Sequence, residues 1–292
     1  MIWVLPFPLS QAGVRVHRAL AYVCITDYQH ALEDLSTAVV LEPNNAWVRT
    51  HRARLYGRLN DYQSAFADMQ TAFFLDSHNA FVYVHRALLY TEIKDYQHAL
   101  EDLNVAVSLD AKGAWVHIHR ARLYGRLNDY PHALVDVNIA VTLEPNNPWV
   151  YVQSAILVYR EIKDYQNALQ DLDRVLELGP ANSEYLIHRA IIHRENGDCQ
   201  SALQDLDQAL VTNADEAQAY IERAIVYKEL KNYQKALQDL AYANEIIPDD
   251  ARIYTERGDL YALMGNAQQA QADVDRGQEL ALREGQRMKE PW

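Results

Sequence analysis

The chain has 292 residues, and its 40 Asp and Glu against 27 Lys and Arg leave a formal net charge of −13. With 49% hydrophobic residues but only 10 Gly and 9 Pro, it reads as a folded protein, not a disordered or loop-rich all-β chain, and it is too long for one core of average size. The acidic balance excludes the basic footprint of a general nucleic-acid binder, and no apolar run approaches the roughly 18 residues of a membrane span.

Residues 1–11 form an apolar N-terminal segment, MIWVLPFPLSQ, without a basic region or a clear cleavage motif, so a secretory signal is not expected. Its Trp3, Leu5 and Phe7 could fold over the first helix. Alternatively the first unit continues a longer array, or self-associates or docks on a partner through an uncapped edge. From there the string DYQHALEDL begins at Asp27 and returns unchanged at Asp95. Related strings begin at Asp61, Asp129, Asp164, Asp198 and Asn232, with spacings of 34, 34, 34, 35, 34 and 34 residues. Eight units follow: 12–45, 46–79, 80–113, 114–147, 148–182, 183–216, 217–250 and 251–284, leaving a tail at 285–292.

Each unit is predicted to hold two helices. In the second unit these are Ala46 to Leu59 and, after a short polar step, Asp61 to Leu75. Pro43, Pro145, Pro180 and Pro248 fall in the turn between units, where a missing amide does little harm, and Pro131 falls in the first turn of its helix. Small residues recur where the helices must approach, such as Ala53, Ala87 and Ala121 in first helices and Ala65, Ala99 and Ala133 in second ones. Large ones (Tyr22, Tyr56, Tyr90; Leu35, Leu172, Leu206) fill the spaces between. No such pair buries both faces alone, so neighbours must stack into a solenoid. The polar helix from Asn266 reads as the C-terminal cap.

This pattern resembles the tetratricopeptide repeat family. Unit 217–250 carries the family's small residue, tyrosines, alanines and proline as Ala224, Tyr227, Tyr233, Ala236, Ala243 and Pro248. Cys199, Ala267, Val175 and Gly277 depart from it without threatening the fold. The resemblance implies an all-α, right-handed superhelical solenoid whose first helices line a concave groove that binds peptides or proteins. A second period overlies the first: residues 27–60 and 95–128 agree at 25 of 34 positions, whereas 61–94 and 95–128 agree at 15. Groove chemistry should therefore alternate along the array.

Arg recurs in first helices (Arg18, Arg52, Arg86, Arg120, Arg189, Arg223, Arg257) and Asp recurs in every second helix (Asp34, Asp68, Asp102, Asp136, Asp171, Asp205, Asp239, Asp273). Equal period and opposite charge predict half-buried ion pairs between the two helices in preference to an anion ladder. Ser154 interrupts the Arg row, so one Asp near it should lack its partner. Among the 11 histidines, His17, His51, His85, His119 and His188 share one position, a row with no converging metal ligands. His117 diverges from His119, and His30, His98 and His132 are expected to be solvated. Cys24 and Cys199 stand in different units without a His–acid constellation, and no glycine-rich phosphate loop occurs. No enzyme activity, metal or cofactor is expected. Two cysteines are too few for a disulfide framework, which suits a cytoplasmic protein.

If the resemblance orients the first helices, the groove is lined by Trp47, Phe81, Trp115 and Trp149, by His51, His85 and His119, and by Arg54, Arg58, Arg122 and Arg126. An exposed aromatic row with arginines has the composition of a binding hot spot. The competing possibility is that the aromatics pack on the preceding turn and the arginines are solvated. Later units turn acidic at Glu184, Glu195 and Glu229. The expected function is a scaffold or adaptor holding a protein or peptide segment with apolar and acidic residues, with no nucleic-acid or membrane partner. Alternatives are a sensor domain for a small peptide or metabolite, or the targeting arm of a larger enzyme. The carboxylate clamp of some family members is absent: its Lys and Asn positions hold Val84, Ile118 or Thr50, His, and Leu88 or Arg54.

Overall fold

The computed structural model describes residues 10–157, 163–179 and 182–287, with side chains described as far as residue 282. The expectations about Trp3, Leu5, Phe7 and Pro180 lie outside these residues. Among the described residues there are 16 helices and no strand. In the first four repeats they are α1 (Gln11–Cys24), α2 (Tyr28–Leu41), α3 (Ala46–Arg58), α4 (Tyr62–Leu75), α5 (Ala80–Glu92), α6 (Tyr96–Leu109), α7 (Ala114–Arg126) and α8 (Tyr130–Leu143). In the last four they are α9 (Pro148–Leu157), α10 (Tyr165–Leu178), α11 (Ser183–Glu195), α12 (Cys199–Thr212), α13 (Ala217–Glu229), α14 (Tyr233–Ile246), α15 (Ala251–Leu263) and α16 (Ala267–Arg287). None of them is long and apolar enough to cross a membrane.

One residue per repeat closes the first helix and opens the second. The Asp61 amide donates to the Tyr56 carbonyl at 2.9 Å, and Asp95 does the same to Tyr90 at 2.8 Å. The carboxylate of each then caps the following helix by accepting the amide of Ser64 or His98. Asp61, the predicted start, is thus the cap and not the first helical residue, and α4 begins one position later at Tyr62. Closing the loop this way puts the residue before the Asp into the left-handed region, with Thr26, Asn60, Lys94, Asn128, Lys163 and Lys231 at φ from 58° to 64°. Only Gly197 and Gly265 meet the same demand without a Cβ penalty.

The chain divides between Ile139 and Ala140 into two compact units. In the first, the predicted small residues Ala19, Ala53, Ala87 and Ala121 face Ala31, Ala65, Ala99 and Ala133, all fully buried. Leu35, Met69 and Leu103 fill the space beyond them. First helices pack on one another (α1 on α3, α3 on α5, α5 on α7) and so form a continuous layer. Gly57 permits that approach: a Cβ there would meet Leu89 Cδ2 at 2.5 Å. The second unit repeats the scheme around Ala168, Ala202 and Ala236, with Leu172, Leu206 and Leu240 buried against them.

Candidate functional site on the first-helix layer

Two ion-pair rows hold each first helix at a set rotation on its second helix. Arg52 donates through Nε and one terminal nitrogen to Asp68 at 2.6 and 2.8 Å, and Arg120 binds Asp136 at 2.7 and 2.8 Å. Arg18, Arg86, Arg189, Arg223 and Arg257 form the same fork, so the predicted structural pairing is what the rows do. At the gap in the row, Ser154 Oγ donates to Asp171. Burial with only this hydroxyl in place of a guanidinium raises the Asp171 carboxyl to about 6. Three residues before the Arg, a further side chain reaches the same carboxylate: Arg15 on Asp34, Arg49 on Asp68, and buried His117 on Asp136 at 2.9 Å. Sequence reasoning gave His117 no role. Its register with Arg15 and Arg49 was the available signal.

The rotation turns Trp47, Phe81 and Trp115 to one face of the first-helix layer, where they are half-buried and not exposed as expected. The reason is the histidine row. A ladder of rings runs His17–Trp47 (6.0 Å), Trp47–His51 (4.6 Å), His51–Phe81 (5.6 Å) and Phe81–His85 (4.0 Å), linking α1, α3 and α5. Within α7, Trp115 meets His119 edge-on at 6.1 Å, and its Nε1 donates to Asp110 in the preceding turn at 3.0 Å. Trp115 thus packs on the preceding turn and Trp47 and Phe81 on histidines, while all three keep part of their surface. His51 and His85 are buried, whereas His119 retains some exposure. Burial and the Arg54 charge depress His51 to about 3 and His85 well below its ordinary value; burial, Arg122 and Arg54 bring His119 to about 4. His51, His85 and His119 are therefore neutral at physiological pH.

Arg54 is half-buried beside these rings, while Arg58, Arg122 and Arg126 are exposed on the same helices. Glu92 of α5 is the acid facing Arg54, Arg58 and Arg126, and partial burial raises its carboxyl. The solvated histidines are as expected but not idle: His30, His98 and His132 bond the capping Asp27, Asp95 and Asp129 and stack on Tyr22, Tyr90 and Tyr124 at 5.2 Å.

In the second unit Trp149 is half-buried, its amide held by the Asn147 cap at 3.0 Å. Two of the three acids expected there share one arginine. Arg194 binds both Glu195 and Glu229 at 2.8 Å, and Arg252 binds buried Glu222 at 2.6 Å. Glu222 and Arg252 are 30 residues apart, the same step that joins His17 to Trp47 and His51 to Phe81. One pair of positions thus carries ring packing in the first unit and an ion pair in the second. Among the described residues no group of three or more His, Cys, Asp or Glu is placed to hold a metal ion.

Sequence profiles described as tetratricopeptide repeat match residues 154–212 and 187–251, and a further one matches 82–112. The fold is similar to that of yeast Tom70, at 18% identity and a TM-score of 0.72, over 95% of this chain and 62% of that one. It is also similar to a tetratricopeptide repeat protein from Parabacteroides merdae (20% identity, TM-score 0.59, 86% of this chain and 98% of that one). A third likeness is to the APC/C hetero-tetramer Cut9–Hcn1 (13% identity, TM-score 0.61, 92% and 53%). The chain thus spans less than two thirds of the Tom70 chain. No curated protein matches it in sequence. At these identities the likenesses establish an all-α repeat solenoid and nothing finer.

Proposed function

Because the chain belongs to the tetratricopeptide repeat family, we propose that it is an adaptor that holds a protein or peptide segment against the first-helix face of residues 46–139. A protein-interaction scaffold is the general use of this fold; the face and the ligand chemistry are the proposal. The observation that carries it is the pairing, on α3, α5 and α7, of half-exposed Trp47, Phe81 and Trp115 with Arg54, Arg58, Arg122 and Arg126. Aromatic edges offer apolar area at low entropic cost, and guanidinium forks suit carboxylates better than a point charge does. The ligand is a segment that sets apolar or aromatic side chains on the ring edges and acidic ones beside the arginines.

A photo-crosslinking residue at position 92, on this face, and another at position 74, where Phe74 is exposed on the second-helix side, separate the alternatives. Partner peptides should be captured from position 92 and not from position 74. Capture from position 74 alone moves binding to the opposite face.

A further inference from the structure

The first unit treats its arginines unequally. Arg18, Arg52, Arg86 and Arg120 each fork onto an aspartate, and Arg15 and Arg49 add to two of those carboxylates. Arg54 has no hydrogen bond or ion pair among the described residues, although it is the most enclosed arginine of the ligand-facing layer. Burial and the neighbouring Arg58 both act against its charge, and Glu92, shared with Arg58 and Arg126, is the acid that acts for it. An enclosed cation without a fork partner is costly unless something supplies one. The lining beside it is also short of partners: the buried Nδ1 atoms of His51 and His119 have no hydrogen bond. Both rings stand within electrostatic reach of Arg54, from α3 and from α7. On a chain of net charge −13, three arginines (Arg54, Arg58 and Arg126) facing one glutamate make a local cationic island.

The two-unit sequence period gives the island its pattern. Arg54 and Arg58 of α3 recur as Arg122 and Arg126 of α7, and between them α5 carries Leu88 and Glu92 at the same positions. A ligand crossing the three helices meets cationic, then apolar and acidic, then cationic surface.

We propose that Arg54 anchors a carboxylate subsite, which takes an acidic side chain of the bound segment, with a second acidic residue reaching Arg122 or Arg126 and no acid placed opposite Glu92. The inference rests on the reading that this face holds a peptide, and it names the chemistry of that peptide. The carboxylate supplies the fork acceptor that every other enclosed arginine of the unit finds within the chain. Its charge is matched by a cation already partly stripped of water, so binding needs less further desolvation on the protein side.

The test uses fluorescein-labelled tetraglutamate and the full chain, followed by fluorescence anisotropy at low and physiological salt. Arg54→Met should weaken binding by about tenfold or more, a loss typical of removing one member of an enclosed charge pair. Arg276→Met should leave it unchanged, because Arg276 pairs with Glu279 and Asp249 in the second unit. Without peptide, Arg54→Met should melt no lower than the parent protein, which separates lost binding from lost folding. Failure of tetraglutamate to bind the parent, or equal binding by Arg54→Met, overturns the subsite. Partner capture from position 92 that survives Arg54→Met likewise overturns it and leaves the face intact. Tetraglutamate binding lost in Arg54→Met, with partner capture only from position 74, supports the subsite while removing the groove reading.

Discussion

Ser154 Oγ donates a hydrogen bond to Asp171 Oδ2 at 2.5 Å, in the place where the other seven repeats set an arginine on the corresponding aspartate. A hydroxyl compensates a half-buried carboxylate far less than a bidentate cation, and the carboxyl is displaced from 3.8 to about 6 as a result.

The sign of the consequence follows from linkage. A raised folded pKa means the native state holds a proton that the unfolded chain has released between about pH 4 and pH 6, so this group's contribution to stability falls as pH rises through that window. At neutral pH Asp171 therefore costs stability, at most about 3 kcal/mol before solvent screening, at roughly 1.4 kcal/mol per pKa unit. Asp171→Asn should melt higher than the parent at pH 7.5, and the difference should shrink at pH 4.5. A variant that melts lower at pH 7.5 contradicts the assignment.

The histidine row has the opposite sign. His51 and His119, lowered to about 3 and 4 from an ordinary 6.5, take up protons on unfolding, so their contribution is complete above about pH 6.5 and is lost as pH falls toward 4. Imidazole resonances of His51 and His119 should stay at neutral-form shifts down to pH 5. Titration of either ring near pH 6.5 would show that it is open to water.

The arginine–aspartate forks differ in enclosure, and their deletion should reflect it. Asp136 is 1% exposed, so Arg120→Met strands a buried carboxylate with His117 as its remaining partner and should cost about 3–5 kcal/mol. Arg18 has 55% of its side chain exposed and Arg15 stays on Asp34 when it is removed, so Arg18→Met should lower the melting temperature much less. Equal losses in the two variants would mean that the fork is not what holds the helices.

Thr26 occupies a left-handed position at φ 58° with a β-branched side chain, the least suitable class of residue there. Thr26→Gly should raise stability by about 1 kcal/mol in chemical denaturation, because the Cβ clash exceeds the extra entropy of glycine in the unfolded chain. A loss of stability would show that the threonine side chain contributes contacts that outweigh its strain.

What the sequence determined by itself is everything that repeats at short range. The 34-residue period, the alanines at the helix crossing and the Arg–Asp forks all join residues within one repeat, 16 apart for the forks, and recurrence made them legible. Even the gap at Ser154 could be read that way, though not the hydroxyl bond that Ser154 makes to Asp171. Tertiary structure decided what depends on packing between repeats. Whether Trp47 and Phe81 face water or a histidine ring turns on partners 30 residues away across a helix crossing. At the same step the sequence shows only an aromatic row giving way to charges, and the fold makes one a ring ladder and the other the Glu222–Arg252 ion pair. Arg54 is the clearest case. Its letter in the sequence is that of any solvated arginine, and only the arrangement of α3, α5 and α7 encloses it among neutral rings without a carboxylate of its own.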